Sequence, residues 1–186
     1  MAEVVLRNAV HRQLTHLYKT EDWYLVLGDQ TNGLPELQPR IDKATEYIAK
    51  RKEQVSADKI VAELTFGFWV SLFNSSYEEV LWKQLRLTFT HLPKADRQRS
   101  TVSVVLNAVR ALRNRVYHNE PICWQLDVLV REHKQILKLI GWLDPQLVTW
   151  LASLERFPAV LAAEQQRRKE NRANASATTQ DAGNYA

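Results

Sequence analysis

Residues Thr101–Pro121 read TVSVVLNAVRALRNRVYHNEP, and the fold is decided here. Val102, Val105, Leu106, Val109, Leu112 and Val116 recur at helical spacing and predict one amphipathic helix with a single apolar stripe. At about 100° per residue, Arg113 falls on the shoulder of that stripe and not on the opposite, wet face. A guanidinium in that position is costly unless it is paired or used. Pro121 disfavours α geometry at Glu120, so the helix is expected to stop near His118 or Asn119. His118 then stands at or just past the last turn, where an imidazole can reach into a cleft.

Upstream, Glu3 to Tyr18 reads as a helix with Leu6, Val10, Leu14 and Leu17 inward. Glu3, Arg7 and His11 stand four apart along one edge of it. They form either a surface i,i+4 pair, Glu3 with Arg7, or a polar row facing the cleft of Arg113. No N-cap precedes Glu3, so the natural element is expected to start earlier than this chain does. Glu21 to Pro39 carries Gly28, Asn32-Gly33, Pro35 and Pro39 and reads as an irregular connection, with Trp23, Tyr24 and Leu25 plugging one end of the core.

Ile41 to Gln54 is expected as a second helix with Ile41, Ala44, Ile48 and Tyr47 facing in, closed by Lys50-Arg51-Lys52. Ser56 or Asp58 opens the next. Lys59 to Phe73 is apolar nearly all round and is read as the central buried helix, with Gly67 marking close approach of a neighbour. Tyr77 to Phe89 continues helical, with Leu81, Trp82, Leu85 and Phe89 inward. Ser100 or Thr101 caps the organising helix.

Downstream, Trp124 to Ile140 predicts a helix bearing Leu126, Leu129, Val130, His133, Leu137 and Ile140, with Gly141 as its C′ residue. Asp144-Pro145 signals a short helix to about Leu154, and Phe157-Pro158 a last one. No segment alternates with period two over strand length. The expected fold is all-α: a helical bundle of five to seven helices. Residues 1–165 form its domain. Residues 166–186 form a basic, then small and polar tail, expected to be disordered from about Arg172.

Composition narrows the function. A net charge of +4 and a pI of about 9.2 permit a polyanionic partner without demanding one. Cys123 is the single cysteine, so there is no disulfide framework and no cysteine-based zinc site. The five histidines lack partners at ligand spacing, and no metal site or cofactor is expected. Phosphate-cradling glycine loops, GxSxG and HExxH are absent from the sequence. No apolar run is long enough to span a bilayer, so a soluble, cytoplasmic protein is the default expectation.

Arg113 and His118, with Asn114 between, suit metal-independent cleavage of RNA. The 2′-hydroxyl of the substrate is the nucleophile there. The protein supplies a base with a pKa near neutrality, as histidine in general does, and a fixed cation on the phosphate oxygens. Arginine provides that cation as a planar fork of donors. One histidine does not serve readily as base and acid in one step; a two-fold dimer bringing two helix ends together supplies both. The plain alternative is a helix end enriched in cations because of its dipole, with His118 as a cap.

The segment LRNRVYHNEPI (Leu112 to Ile122) resembles the signature of the Abi-like, or abortive-infection, proteins of the HEPN superfamily, R-x4–6-H with a polar residue after the arginine. EVVLRNAVHRQL (Glu3 to Leu14), Trp23, and VAELTFGFWVSLF (Val61 to Phe73) followed by Leu81-Trp82 look like the same family. The resemblance spans most of Glu3 to about Ile140. It implies a helical HEPN domain, dimeric, with its cleft at the dimer interface. It implies a metal-independent endoribonuclease acting as a toxin or phage-defence effector on RNA, with room for an antitoxin or another regulatory partner; the restraint is open between an antitoxin, a trigger and the tail. By position, Arg113 and His118 match the catalytic pair and Asn114 the supporting polar residue. Glu3, Arg7 and Asn8 match the N-terminal polar motif, and Glu120 the acid of H-x-E-P. Some members of the superfamily are non-catalytic, which leaves a helical module binding RNA or a protein partner as the alternative.

Overall fold

A computed structural model describes residues 1–29, 33–123 and 125–183, with side chains through 174. Asn32 and Trp124, named above, lie outside the described residues. Among the described residues the regular structure is helical, and the fold is the expected all-α bundle. The chain forms two compact units, Met1–Val148 and Thr149–Ala186.

In the first unit, α1 (Ala2–Tyr18) buries Leu6, Ala9, Val10 and Leu14, the stripe its spacing predicts. A short α2 (Trp23–Leu27) follows within the stretch expected to be irregular. Its Trp23 and Tyr24 plug the core, but Leu25 points to solvent. Both buried rings cannot share a face with the residue that follows them on so short a helix. A 3-10 turn, Pro35–Leu37, then leads to α3 (Gln38–Lys50). α3 buries Ile41, Ala44 and Ile48, while Tyr47 stays outside beneath the ammonium groups of Lys43 and Lys50. Tyr47 was expected inward; flanked by two lysines of its own helix, its ring has cations to meet in water instead.

The expected continuous helix from Lys59 to Phe73 is two helices, α4 (Ala57–Glu63) and α5 (Phe66–Ser71). Leu64 and Thr65 are extended between them. The Thr65 hydroxyl accepts from Phe68 N–H and caps α5, while the Trp69 indole donates to the carbonyl of Leu64 at 3.1 Å. The break thus replaces the backbone bonds it removes. Gly67 has room around it: a Cβ there would meet only the Thr65 hydroxyl, at an ordinary 3.7 Å. The close helix approach expected at Gly67 is absent.

Residues 75–88 are irregularly helical, with 3-10 turns on either side of a π segment, Glu78–Trp82, and the short α6 (Lys83–Leu85). The organising helix, α7 (Arg99–Tyr117), starts at Arg99, ahead of both predicted caps, Ser100 and Thr101. Arg99 anchors that start by donating to the Phe73 carbonyl and to Glu78. Val102, Val105, Leu106, Val109 and Leu112 are buried as predicted, but Val116 is 52% exposed. The stripe ends one turn early because the last turn of α7 runs past the core.

α8 (Leu126–Leu143) packs on α7 and on α1. Its deepest residues are Leu139, Ile140, Trp142 and Leu143, so its C-terminal turns carry the core contact. Gly141 lies inside the helix and not past its end, and the Asp144 carboxylate accepts from Gln146 N–H, as an N-cap of α9 (Pro145–Leu154). Side chains from α1, α2, α5, α7 and α8 share one core, with the Trp23, Phe68 and Trp69 rings in mutual contact. Each fully buried large side chain of this kind is worth about 1.5–3 kcal/mol of transfer free energy.

In the second unit, α10 (Phe157–Gly183) begins at the predicted Phe157-Pro158. Glu164 on it pairs with Arg167 and Arg168 at i+3 and i+4. The composition change near residue 166 lies inside this helix, which extends into the small, polar tail expected to be disordered from about Arg172. Among the described residues no helix is long and apolar enough to cross a membrane.

Candidate functional site

The site is built at the C-terminal end of α7. Its helix stops as the sequence anticipates, and the way it stops fixes the geometry. Asn119 adopts φ 54°, in the left-handed region. Its N–H donates to the Val116 carbonyl at 3.1 Å, and the Glu120 N–H donates to the Arg115 carbonyl at 2.9 Å. This is a Schellman termination, with His118 as C-cap and Asn119 as the C′ residue. Asparagine tolerates that conformation better than most residues with a Cβ. The contact that commonly joins the residues flanking such a stop is apolar. Here it is ionic: Arg115 Nε lies 3.7 Å from Glu120 Oε2.

Arg115 also donates from Nη2 to the Pro121 carbonyl at 2.9 Å and approaches Glu132 of α8 at 3.8 Å. It ties the loop after His118 back to α7 and to the neighbouring helix. Glu120, matched above to the acid of H-x-E-P, is therefore held by Arg115. The sequence reading passed over Arg115. Its signal was present: Arg115 and Glu120 bracket the stop, and α8 presents Glu132.

Arg113 is reached from two sides. Its Nε lies 3.5 Å from Glu3 Oε2, with side chains 44% and 35% exposed respectively. Its guanidinium carbon stands 4.9 Å above the Tyr117 ring. The edge of Glu3, Arg7 and His11 is thus divided. Glu3 crosses to α7 in place of the i,i+4 pair with Arg7. Arg7 donates from Nε to Asn8 Oδ1 at 3.3 Å, a bond that stays on α1. His11 turns inward, and its Nδ1 accepts from the buried Trp23 indole at 2.9 Å. The structure brings together Glu3 and Arg113; Arg7 and Asn8 form their own pair, and His11 belongs to the core.

Tyr117 is the second residue the sequence reading missed. Four residues along a helix return to nearly the same face, so Tyr117 lies over Arg113, whereas five residues place His118 about 140° away. His118 joins the group through Tyr117: the two rings meet edge to face, centroids 5.5 Å apart. Asn114, His118 and Tyr117 are all solvent-exposed, Tyr117 at 69%. The Asn114 carbonyl accepts the His118 N–H at 2.9 Å. The Arg113-x3-Tyr117 spacing was the available signal, a stacking pair at i,i+4.

Chemically, the helix end presents the Arg113 guanidinium, the Tyr117 ring and the His118 imidazole to solvent, with the Glu3 carboxylate beside Arg113. The guanidinium and the ring suit a phosphate and a base, and the imidazole suits proton transfer. Among the described residues no group of three His, Cys, Asp or Glu side chains is placed to hold a metal ion.

No protein-family model matches this chain, and neither the curated proteins nor the solved structures contain a significant match to it.

Proposed function

We propose that the protein is a metal-independent endoribonuclease of the HEPN type, a toxin or phage-defence effector that works as a homodimer. The observation that carries this reading is the exposed chain Arg113–Tyr117–His118 at a rigidly terminated helix end. No packing role accounts for three such side chains held together in water. In the proposed reaction the His118 imidazole of one protomer removes the proton of the 2′-hydroxyl, whose oxygen attacks the adjacent phosphorus. Arg113 stabilises the charge that grows on the non-bridging oxygens. The 5′-oxygen leaves with a proton from the second protomer's imidazole, and the products end in a 2′,3′-cyclic phosphate and a 5′-hydroxyl. An antitoxin or other partner would act by covering this helix end.

A second reading, a non-catalytic module that binds RNA or a protein, is favoured by one observation: Glu3 already neutralises part of the Arg113 charge. Purified protein incubated with total RNA in EDTA separates the two. Cyclic-phosphate products from the wild type, absent with His118→Ala or Arg113→Ala of unchanged helicity, support the enzyme. RNA retained intact by all three supports the module.

A further inference from the structure

A cleft of about 300 Å³ opens between residues 86–90 and the loop before α7, lined by Arg86, Leu87, Phe89, Thr90 and Arg97. Its composition is specific. Two of the five lining residues are arginines, and no acidic side chain lines the cleft. Among the described residues neither arginine has a carboxylate partner. The nearest acid in sequence, Asp96, is taken by Lys138 at 3.6 Å. Arg97 donates from Nε to the Leu92 carbonyl at 3.1 Å, which pins the guanidinium by one edge and leaves its two terminal nitrogens for another group. The Thr90 hydroxyl is directed to the Leu143 carbonyl. Phe89 is buried and forms the floor, and Leu87 stands half-exposed at the wall.

We infer that this cleft is a binding site for a nucleoside monophosphate, with its phosphate between Arg86 and Arg97 and its base against Leu87 and Phe89. Two guanidiniums lining one cleft without carboxylates match a phosphate dianion, which takes forked N–H donors from each. The apolar wall and floor match a planar group carried by that phosphate. The volume lies at the lower end of small-molecule sites, which suits a mononucleotide. The site is separate from the one at the other end of α7, since the helix rises about 21 Å between Arg99 and Arg113 at about 1.5 Å per residue. The inference does not depend on RNA cleavage. The same chemistry is offered by a free nucleotide and by the phosphorylated end of an RNA strand.

Calorimetric titration of the full chain with 5′-AMP, inorganic phosphate and a 5′-phosphorylated RNA hexamer beginning with adenosine tests it. Saturable binding of AMP is expected, at least about tenfold weaker in Arg86→Gln, a substitution at an exposed side chain. Leu87→Ser is expected to weaken AMP and leave inorganic phosphate unchanged, and His118→Ala to leave AMP unchanged. Measured in His118→Ala, so that the strand stays intact, a hexamer that binds more tightly than AMP and loses that affinity when Arg86→Gln is added assigns the site to an RNA end, and equal binding assigns it to the free nucleotide; either upholds the inference. No saturable AMP binding, AMP affinity equal in wild type and Arg86→Gln, or inorganic phosphate binding as tightly as AMP overturns it.

Discussion

The Glu3 carboxylate lies 3.5 Å from Arg113 Nε and joins the first turn of α1 to the C-terminal end of α7. Glu3 reaches Arg113 and not Arg7 of its own helix, while Arg113 meets both Glu3 and the Tyr117 ring one turn further along α7. The pair is partly exposed, so its net contribution to stability is small, about 0–1 kcal/mol. Its larger effect is on the charge that Arg113 can offer.

Glu3→Gln is therefore expected to leave the urea midpoint nearly unchanged. It should tighten the binding of single-stranded RNA by about fivefold, the equivalent of about 1 kcal/mol of removed repulsion at low salt. Filter binding at two salt concentrations measures this, and the gain should shrink at the higher one. A stability loss above about 2 kcal/mol with no change in RNA affinity would make Glu3 a structural anchor instead.

His11 answers for a buried group. The Trp23 indole N–H is fully enclosed and its bond to His11 Nδ1, at 2.9 Å, is what satisfies it. His11→Ala leaves that donor without a partner and is expected to cost about 1–3 kcal/mol. Trp23→Phe in the His11→Ala background removes the orphaned donor, so the double variant should lose less than the sum of the two single losses. Additive losses in chemical denaturation would show that the bond carries no coupling.

Periodicity was enough to read α1, α3 and α7, because each buries one face whose apolar residues recur at helical spacing. It failed where a single hydroxyl decides the backbone. Thr65 splits an apolar run that looks like one helix, since a threonine able to cap the following turn competes with helix continuation. It also failed at the end of α7: Val116 continues the pattern but lies beyond the core it would pack on. In the candidate site, Arg113 and His118 were legible as residue types and Glu3 as a possible neighbour. Tyr117 and Arg115 were not singled out, because their parts come from contacts made in three dimensions: one ring under a guanidinium, and one guanidinium shared among Glu120, Pro121 and Glu132.

Acid should reach α10 late. Hydrogen bonds from Arg167 first and Arg168 second hold the Glu164 carboxyl down at about 2, against a usual 4.5. A carboxyl whose folded value is depressed contributes stability that is present above the unfolded value and is lost as pH falls through the folded one. The Glu164 contribution is thus expected intact above about pH 4.5 and gone below about pH 2. Carboxyl-carbon NMR titration should place its midpoint well below those of the other glutamates, and Arg167→Gln should raise it. A midpoint near 4.5 in the wild type would mean that the two guanidiniums do not hold the carboxylate in solution.

Asn119 closes the helix stop that follows His118. Its φ of 54° lies in a region that glycine enters freely, that asparagine tolerates and that alanine resists. Asn119→Gly is expected to preserve the helix stop and leave stability within about 0.5 kcal/mol. Asn119→Ala should cost about 1 kcal/mol or more, because the Glu120 N–H can reach the Arg115 carbonyl only if residue 119 turns left-handed. The same pair of variants separates geometry from chemistry at the candidate site, since neither changes a charge. If His118 acts from the position this stop gives it, RNA cleavage should survive in Asn119→Gly and fall in Asn119→Ala under conditions where both variants are fully folded. Equal activity in the two would mean that His118 needs no fixed helix end, and the case for a built catalytic geometry would then rest on Arg113 alone.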